Sequence, residues 1–261
     1  GVAIYSNGND KFKKITLRSN SPESDFEALV DRINQKLDTS VKLDLNDNHA
    51  VLSVPSRDMH NVLILLKTIS PSFSIMSLGN SIEIYKETGL PAEVANRFSL
   101  QTKEGTHGIG HTRMATESAV NTMGAHPYST GTDQCLVHNG SLSNHNNLRR
   151  QLTRNGVNLN TDNDSEVAAA YLTHQMKLGA SLESALNNAL KDLDGFYTFV
   201  VGTRDGFAVL RDPIACKPAI MAETEQFVAF GSEYRALVNL PGIDNARVWE
   251  PEPATVYFWS H

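Results

Sequence analysis

Cysteine is scarce in this sequence, and long apolar runs are absent. Only two cysteines, Cys135 and Cys216, occur among 261 residues, so the chain holds neither a disulfide framework nor a CxxC pair. Free thiols suit a reducing compartment, and we expect the protein to be cytoplasmic. The longest apolar stretches, residues 62–66 and 196–201, are too short to cross a bilayer as helices.

An excess of basic charge is also missing. The formal net charge is -6 and the isoelectric point is near 5.8. Nucleic-acid binders show a basic face or stripe, so we expect no nucleic-acid partner. No run of lysine or arginine offers a patch for a membrane surface. What is present, 40% hydrophobic and 20% charged residues, is ordinary for a globular chain with one large or two smaller domains.

Strand and helix patterns follow one another in the first third of the chain. Residues 12–18 alternate with a period of two, as a strand does. From Phe12 to about Tyr85 the predicted order is β-α-β-β-α-β, which is typical of a ferredoxin-like split unit. This part contains no nucleophile, ligand cluster or phosphate loop. We therefore predict a packing or docking insert over residues 19–98, placed within a core domain formed by residues 1–18 and 99–261.

From Gly105 onward the predicted helices separate groups of strands. Regular βαβ alternation is missing, which indicates an α+β layered fold. Ser143 is the expected N-cap of a helix that Asn155-Gly156 ends. Asn163 and Glu166 have the spacing of a capping box, which predicts the start of the next helix.

Polar residues are concentrated between Gly110 and Gly140, on predicted loops between apolar strands, which indicates a site rather than a core. Asn139-Gly140 within this stretch has two interpretations. The dipeptide is the leading signal for a two-residue hairpin, but a helix, not a paired strand, is expected from Ser141 onward. An asparagine amide beside a glycine N–H can instead form an oxyanion hole, because glycine permits close approach of a substrate.

Other polar residues of the stretch also have two interpretations. Arg113 suits either a surface ion pair or a clamp for a substrate carboxylate. Cys135 is most simply a buried core thiol, although His138 nearby in sequence would suit a nucleophilic cysteine. His107 and His111 have a metal-ligand spacing only in a helix, and the glycines between them oppose a helix, so we reject a zinc pair.

Together these motifs resemble the class II glutamine amidotransferases, the N-terminal-cysteine branch of the Ntn hydrolases. Five blocks occur in the family's order over about half of the chain, which is more specific than any single block. The resemblance implies a four-layer αββα Ntn-hydrolase sandwich that carries the ferredoxin-like α+β insert. The blocks are Gly110-His111-Thr112-Arg113, Ala115-Thr116, Ala125-His126-Pro127, Val137-His138-Asn139-Gly140 and Asp164-Ser165-Glu166-Val167.

The resemblance also implies roles for single residues. Arg113 would bind the α-carboxylate of glutamine, Asp164 its α-ammonium group, and Thr116 would line the same pocket. Asn139 and Gly140 would stabilise the oxyanion of the tetrahedral intermediate. The implied chemistry is attack of a thiolate on the side-chain amide, release of ammonia and hydrolysis of a glutamyl thioester, with the α-amine of an N-terminal cysteine as the base.

Two departures from the family pattern refine these expectations. Met114 and Glu117 replace an aromatic residue and a histidine of the sugar-synthesising relatives. The run HTRMATES is more similar to the amidotransferase subunits of glutamate-synthase-like and N-methylglutamate-synthase-like assemblies. The second departure is that Gly1 is not cysteine. Relatives carry a Cys-Gly-Ile strand, a helix and an Arg-Gly-Pro-Asp segment before this strand, so we expect that the N-terminal catalytic segment is absent here.

Three hypotheses about function remain open. The leading one is a glutaminase subunit that is inactive alone and supplies ammonia to a glutamate-synthase-like partner. The resemblance places FMN and an iron–sulfur cluster on that partner, and no cofactor or metal on this chain. The second hypothesis is a non-catalytic amidotransferase-like module that binds glutamine or serves assembly. The third makes Cys135 the nucleophile.

Overall fold

The computed structural model describes residues 1–8, 10–21, 25–69, 72–112 and 120–260. Two of the predicted site residues, Arg113 and Thr116, lie outside these described residues. The chain divides into two compact units. Unit 1 comprises Gly1–Cys135 and Gly202–Arg204, and unit 2 comprises Leu136–Val201 and Asp205–His261.

The strands and helices alternate in an irregular order, as expected for an α+β chain. None of the described helices is both long enough and apolar enough to span a bilayer. In chain order the elements are β1 (Val2–Tyr5), β2 (Phe12–Ser19), α1 (Phe26–Leu37), β3 (Lys42–Asn46), β4 (His49–Pro55), α2 (Met59–Ile69), β5 (Phe73–Gly79), β6 (Ile82–Tyr85), α3 (Pro91–Arg97), β7 (His107–Gly110), β8 (Tyr128–Gly131), β9 (Gln134–Leu142), α4 (His145–Arg154), α5 (Asp164–Lys177), α6 (Leu182–Asp192), β10 (Gly195–Thr203), β11 (Gly206–Arg211), β12 (Ile220–Glu223), β13 (Val228–Gly231), β14 (Arg247–Trp249) and β15 (Val256–Ser260).

Unit 1 contains a four-stranded antiparallel sheet in the order β3-β4-β2-β5. Its strands, taken with α1 and α2, follow the predicted β-α-β-β-α-β sequence, and the strand order is that of a split βαβ unit. Ile15, Leu17 and Leu52 from the sheet pack with Ile33 and Val62 from the helices in one buried cluster. The ferredoxin-like arrangement predicted from sequence periodicity is therefore confirmed.

The ends of this sheet differ from the predicted segment limits. β2 lies between β4 and β5 in the four-stranded sheet, and its residues Ile15 and Leu17 belong to the core of this sheet. Residues 12–18 are thus part of the ferredoxin-like sheet, although the sequence suggested assigning them to the core domain. β6 lies outside that sheet and pairs instead with β1, in a three-stranded antiparallel sheet of order β6-β1-β7. The domain limits as a whole stay a prediction.

Unit 2 combines two sheets with three helices. Strands β15, β11, β10 and β9 lie side by side in that order, and β12 lies between β13 and β14 in a smaller sheet. Helix α5 has nine successive buried residues, from Ser165 to Thr173. Three small residues, Ala168–Ala170, allow this close packing on all sides, so α5 is a core helix rather than an amphipathic surface helix.

One predicted helix start is wrong in detail. β9 continues to Leu142, and α4 begins only at His145. Ser143 does not cap the helix, because its hydroxyl donates to the carboxylate of Asp194 at 2.7 Å. The end of α4 at Asn155-Gly156 is confirmed, with Gly156 at φ +79°. The four-layer sandwich and its N-terminal truncation stay predictions.

The predicted capping box at α5 is only half present. Asn163 caps the helix, since its side chain accepts a hydrogen bond from the backbone N–H of Ser165 at 2.8 Å. The carboxylate of Glu166, however, accepts hydrogen bonds from the backbone N–H groups of Asn160 and Thr161 at 2.8 and 2.7 Å. Glu166 therefore fastens the preceding loop and does not return to the N-cap.

Candidate active site

Asn139 and Gly140 lie inside strand β9, so the hairpin interpretation of this dipeptide is wrong. Gly140 has φ +148°, a conformation that residues with a side chain rarely adopt. A Cβ atom at this position would clash with the carbonyl oxygen of Phe196 and lie 2.7 Å from the Cα of Tyr197. Close approach of β10 thus requires glycine here, which is a structural reason independent of any oxyanion role.

Asp164 is the first residue of α5 and contacts the end of β9. Its carboxylate accepts a hydrogen bond from the backbone N–H of Leu142 at 2.9 Å and one from the hydroxyl of Ser165 at 3.3 Å. The side chain is 21% exposed. An anion is favoured at this place, because the positive end of the helix dipole lies there. The carboxylate is therefore held in position while one side of it remains open to solvent.

His138 is a further functional candidate, for which the sequence suggested a role only beside a nucleophilic Cys135. Its side chain is buried, with Nδ1 3.0 Å from the hydroxyl oxygen of Ser165 and 3.7 Å from the carboxylate of Asp164. Burial lowers the pKa of His138 to about 4, and Lys217 acts in the same direction, whereas Asp164 opposes the shift. The imidazole is therefore neutral at pH 7.

The other ring nitrogen of His138 has distinct surroundings. Nε2 is buried and makes no hydrogen bond within the described part of the chain. A Cβ atom on Gly140 would lie 2.9 Å from it, so the glycine also leaves space beside the imidazole. The ring packs edge-on against Phe199, with 5.1 Å between centroids. The sequence signals for this residue were its place directly before Asn139 and its nearness to Cys135.

Cys135 begins the same strand but has the properties of a core thiol, as predicted. It is buried, and the hydroxyl of Tyr5 donates to its sulfur at 3.4 Å. Burial raises the pKa of Cys135 to about 11, although the hydrogen bond from Tyr5 acts in the opposite direction. The thiolate is thus scarce at neutral pH, which speaks against a nucleophilic role.

His107 and His111, the two histidines with a possible metal-ligand spacing, each stack on another ring within unit 1. His107 lies in β7, as the sequence predicted, and its ring stacks on Tyr5 with 4.3 Å between centroids. The His111 ring stacks on His126 at the same distance. In the residues that the structure describes, no group of three or more histidine, cysteine, aspartate or glutamate side chains could hold a metal ion.

Two charged residues after β6 hold the segment from residue 120 to 127. Lys86 is buried, and its ammonium group donates to the carbonyl oxygens of Ala125 at 2.9 Å and of Met123 and Pro127 at 3.4 Å each. Glu87 accepts a hydrogen bond from Thr122. Sequence reasoning missed both residues, because nothing local distinguishes them from ordinary surface charges.

The pKa of Glu87 reflects these contacts. Burial alone would raise the pKa of Glu87. Hydrogen bonds from Thr122, the backbone N–H of Thr88 and the amide of Asn48 act in the opposite direction, and so does the positive charge of Arg18. Together they lower the pKa to about 2. Glu87 is therefore charged at neutral pH. It links the ferredoxin-like sheet to the segment that contains Ala125-His126-Pro127.

Comparison with known proteins identifies the family of the chain. The family model for a glutamine amidotransferase domain matches residues 111–239. The glutamine amidotransferase-like protein GlxB of Rhizobium meliloti (strain 1021) is 59% identical over the whole of this chain, which covers 86% of that protein. A putative glutamine amidotransferase of Methanothermobacter thermautotrophicus is 35% identical over 70% of this chain and 60% of its own length.

Solved structures show a similar fold. The glutamine phosphoribosylpyrophosphate amidotransferase from B. subtilis, complexed with ADP and GMP, superposes with a TM-score of 0.54 at 18% identity. The match covers 95% of this chain but only 47% of that enzyme, so the chain spans about half of the enzyme's length. Identity this low supports the fold alone. The high identity to the Rhizobium protein over nearly its whole length carries the assignment, and the chain belongs to the glutamine amidotransferase family.

Proposed function

We propose that this protein is the glutaminase subunit of a split amidotransferase, which hydrolyses glutamine to glutamate and ammonia. The observation that carries the proposal is the junction of β9 and α5. There the Asp164 carboxylate is bound to the backbone of Leu142, two residues after Gly140, and a neutral His138 lies beside it. A fixed negative charge at the start of α5 is thus bound to the strand that carries the candidate oxyanion donors.

Each residue of the predicted site receives a role in this proposal. The carboxylate of Asp164 accepts the α-ammonium group of glutamine, while Arg113 and Thr116 contact its α-carboxylate. The side-chain amide of Asn139 and the backbone N–H of Gly140 stabilise the oxyanion. One oxyanion donor contributes about 3 kcal/mol to catalysis in such sites. His138 is a positioning residue, because it reaches Asp164 and Ser165 without needing to touch the substrate.

The reaction requires a thiolate at the site. The thiolate attacks the amide carbon, the carbon–nitrogen bond breaks, ammonia leaves with an added proton, and water hydrolyses the thioester. Cys135 is unsuitable, because it is buried and its pKa is raised to about 11. In the proposal the N-terminal cysteine of the family provides the thiol, and its own α-amine takes the proton.

The ammonia is consumed by a partner subunit in this proposal. The similarity of HTRMATES to subunits of glutamate-synthase-like assemblies supports a cytoplasmic partner of that kind, with FMN and an iron–sulfur cluster on the partner. The partner would be recognised by co-purification with the chain and by stimulation of glutaminase activity. A partner that carries no flavin would contradict this part of the proposal and leave the glutaminase part intact.

A glutaminase assay on the polypeptide from the complete reading frame tests the proposal. We expect Asp164→Asn to lower kcat/KM for glutamine at least about tenfold, since a hydrogen bond to a charged group is lost. Asp162→Asn is the matched control, because Asp162 is exposed and lies two residues earlier. We expect Asn139→Ala to lower kcat about 100-fold or more.

The alternative functions give different results in the same assay. Glutamine binding by calorimetry without any turnover, with or without partner subunits, would contradict the glutaminase proposal and favour a binding or assembly module. Equal kcat/KM values for the Asp164→Asn and Asp162→Asn variants would remove Asp164 from the substrate site. Loss of turnover in Cys135→Ser, with folding retained, would make Cys135 the nucleophile.

A further inference from the structure

A surface groove in unit 2 combines aromatic rings with carboxylates. It lies where β14 and β15 meet, and its volume is about 460 Å³. Trp249, Tyr257 and Trp259 provide its aromatic wall, with ring centroids 4.9 to 6.3 Å apart. Large aromatic side chains grouped at a surface are typical of binding sites, because they bury much area at low entropy cost. None of these residues belongs to the candidate active site.

The carboxylate of Glu223 organises this wall. It accepts a hydrogen bond from the indole N–H of Trp259 at 3.1 Å and from that of Trp249 at 3.3 Å. Trp259 also stacks on Phe207 of the neighbouring strand, with 5.1 Å between centroids. Both indole rings are therefore held in fixed orientations before any ligand arrives. Preformed sites of this kind bind with less ordering cost than sites that must assemble.

The charge of the groove is negative. Glu223, Glu250 and Glu252 line it together with a single cation, Arg247. A second arginine, Arg211, lies buried behind Glu250 at 3.7 Å from its carboxylate, so one carboxylate remains in excess. The lining therefore favours a cationic occupant.

One contact within the groove is of the kind that would hold a guanidinium group. Arg247 lies over the ring of Trp249, 5.5 Å from its centroid, and its side chain is 76% exposed. Such a contact is the attraction of a cation to the face of an aromatic ring. An exposed side chain in this position can be displaced by a cation from outside, which would retain the same ring contact.

The backbone of β15 indicates an extended occupant. β15 pairs with β11 on one side, from Leu210↔Val256 to Gly206↔Ser260, and is the last strand of its sheet, with no strand partner on the other side among the described residues. The middle residue, Phe258, is 47% exposed. An edge strand of this kind can accept a further strand from another chain through backbone hydrogen bonds.

From these observations we infer that the groove between β14 and β15 is a docking site for an extended, basic segment of a partner protein. The segment adds a strand to β15 and places lysine or arginine side chains on the faces of Trp249 and Trp259, near Glu250 and Glu252. The inference does not depend on the glutaminase proposal, because it uses no residue of that site.

The two tryptophans of the chain make the test specific, because no others occur in its 261 residues. A short synthetic peptide of alternating arginine and threonine is added to the ¹⁵N-labelled full chain, and the two indole N–H signals are followed by NMR. We expect both signals to shift with saturation. The control peptide carries citrulline, the neutral analogue, in place of each arginine, and we expect it to bind about tenfold more weakly.

A pair of charge reversals locates the peptide. Glu252→Lys should weaken binding of the arginine peptide about tenfold, because Glu252 is exposed and its side chain lines the groove. Glu225→Lys makes the same charge change at an exposed position outside the groove and should leave binding unchanged. Equal effects of the two variants would overturn the inference.

Other outcomes would also overturn it. Unmoved indole signals at millimolar peptide, or equal affinity for the citrulline peptide, would exclude a cationic occupant. Free arginine that binds as tightly as the peptide would indicate a small-molecule site instead of a docking edge. Indole signals that shift with protein concentration alone, together with a dimer mass in light scattering, would identify a second copy of this chain as the occupant.

Discussion

The four-stranded sheet of unit 1 and the β9–α5 junction of unit 2 use buried residues in different ways. In the sheet, apolar residues such as Ile15, Leu17 and Leu52 form a core with two helices. At the junction, buried polar residues such as His138 and Ser165 contact one another, and a glycine permits close strand packing. The first arrangement explains only stability, whereas the second holds charged and neutral polar groups in fixed positions, as an active site requires.

One buried histidine in each region sharpens this comparison. His49 of β4 is packed beside the rings of Tyr85 and Phe98, with Nδ1 2.7 Å from the amide oxygen of Asn48. Burial lowers the pKa of His49 to about 4, as it does for His138. A depressed pKa by itself therefore does not distinguish a core histidine from a site histidine. Contact with a residue of the predicted site, the Asp164 carboxylate at 3.7 Å, is what distinguishes His138.

The largest expected effect concerns Gly140, on which the packing of β9 against β10 depends. Gly140→Ala should reduce the free energy of unfolding by about 4 kcal/mol, through strain at positive φ and the clash with the Phe196 carbonyl. Gly156→Ala is the control, since Gly156 also has positive φ but nothing within 4 Å of an added Cβ, and should cost about 1 kcal/mol. Urea unfolding measures both. Equal costs would mean that β10 does not approach Gly140 closely.

The second effect is a loss of folding stability in mild acid, to which one buried histidine in each region contributes. Below pH 6.5 the unfolded chain protonates His49 and His138, whereas the folded chain keeps them neutral down to about pH 4. Stability therefore falls as the pH drops from 6.5 to 4, by about 3 kcal/mol for each histidine. We expect His49→Gln and His138→Gln each to flatten the pH dependence of unfolding in this window. A profile unchanged by both substitutions would refute the assignment.

The same two variants separate the regions by activity. If the glutaminase proposal holds, His138→Gln should raise the KM for glutamine several-fold, because His138 lies beside Asp164. His49→Gln should leave the KM unchanged, since the contacts of His49 with Asn48, Tyr85 and Phe98 involve no residue of the predicted site. A larger effect of His49→Gln on the KM would contradict the assignment of the glutamine site to the β9–α5 junction.

The smallest effect concerns the two cysteines. Cys135 is buried and Cys216 is exposed, so iodoacetamide should label only Cys216 in the folded protein and both residues after denaturation. Cys135→Ser should cost about 1 kcal/mol, because the hydroxyl of Tyr5 retains an acceptor. Peptide mapping by mass spectrometry measures the labelling. Rapid labelling of Cys135 under native conditions would contradict its burial.

Sequence periodicity was sufficient to predict the four-stranded sheet and its two helices. These elements depend on local contacts and alternating burial, which a period of two or of 3.6 records directly. The cap at Asn163, the helix end at Asn155-Gly156 and the core character of Cys135 were also predictable from single residues. The motifs around His138-Asn139-Gly140 and Asp164 indicated the family.

The tertiary structure decided the features that depend on distant partners. Ser143 failed as a helix cap because Asp194, far along the chain, takes its hydroxyl, and Glu166 fastens a loop instead of closing a capping box. Lys86 and Glu87 became anchors only because the folded chain brings residues 120–127 to them. The sequence by itself determined the periodic elements and the family. The structure decided which polar residues meet, because such contacts join residues whose separation leaves no local pattern.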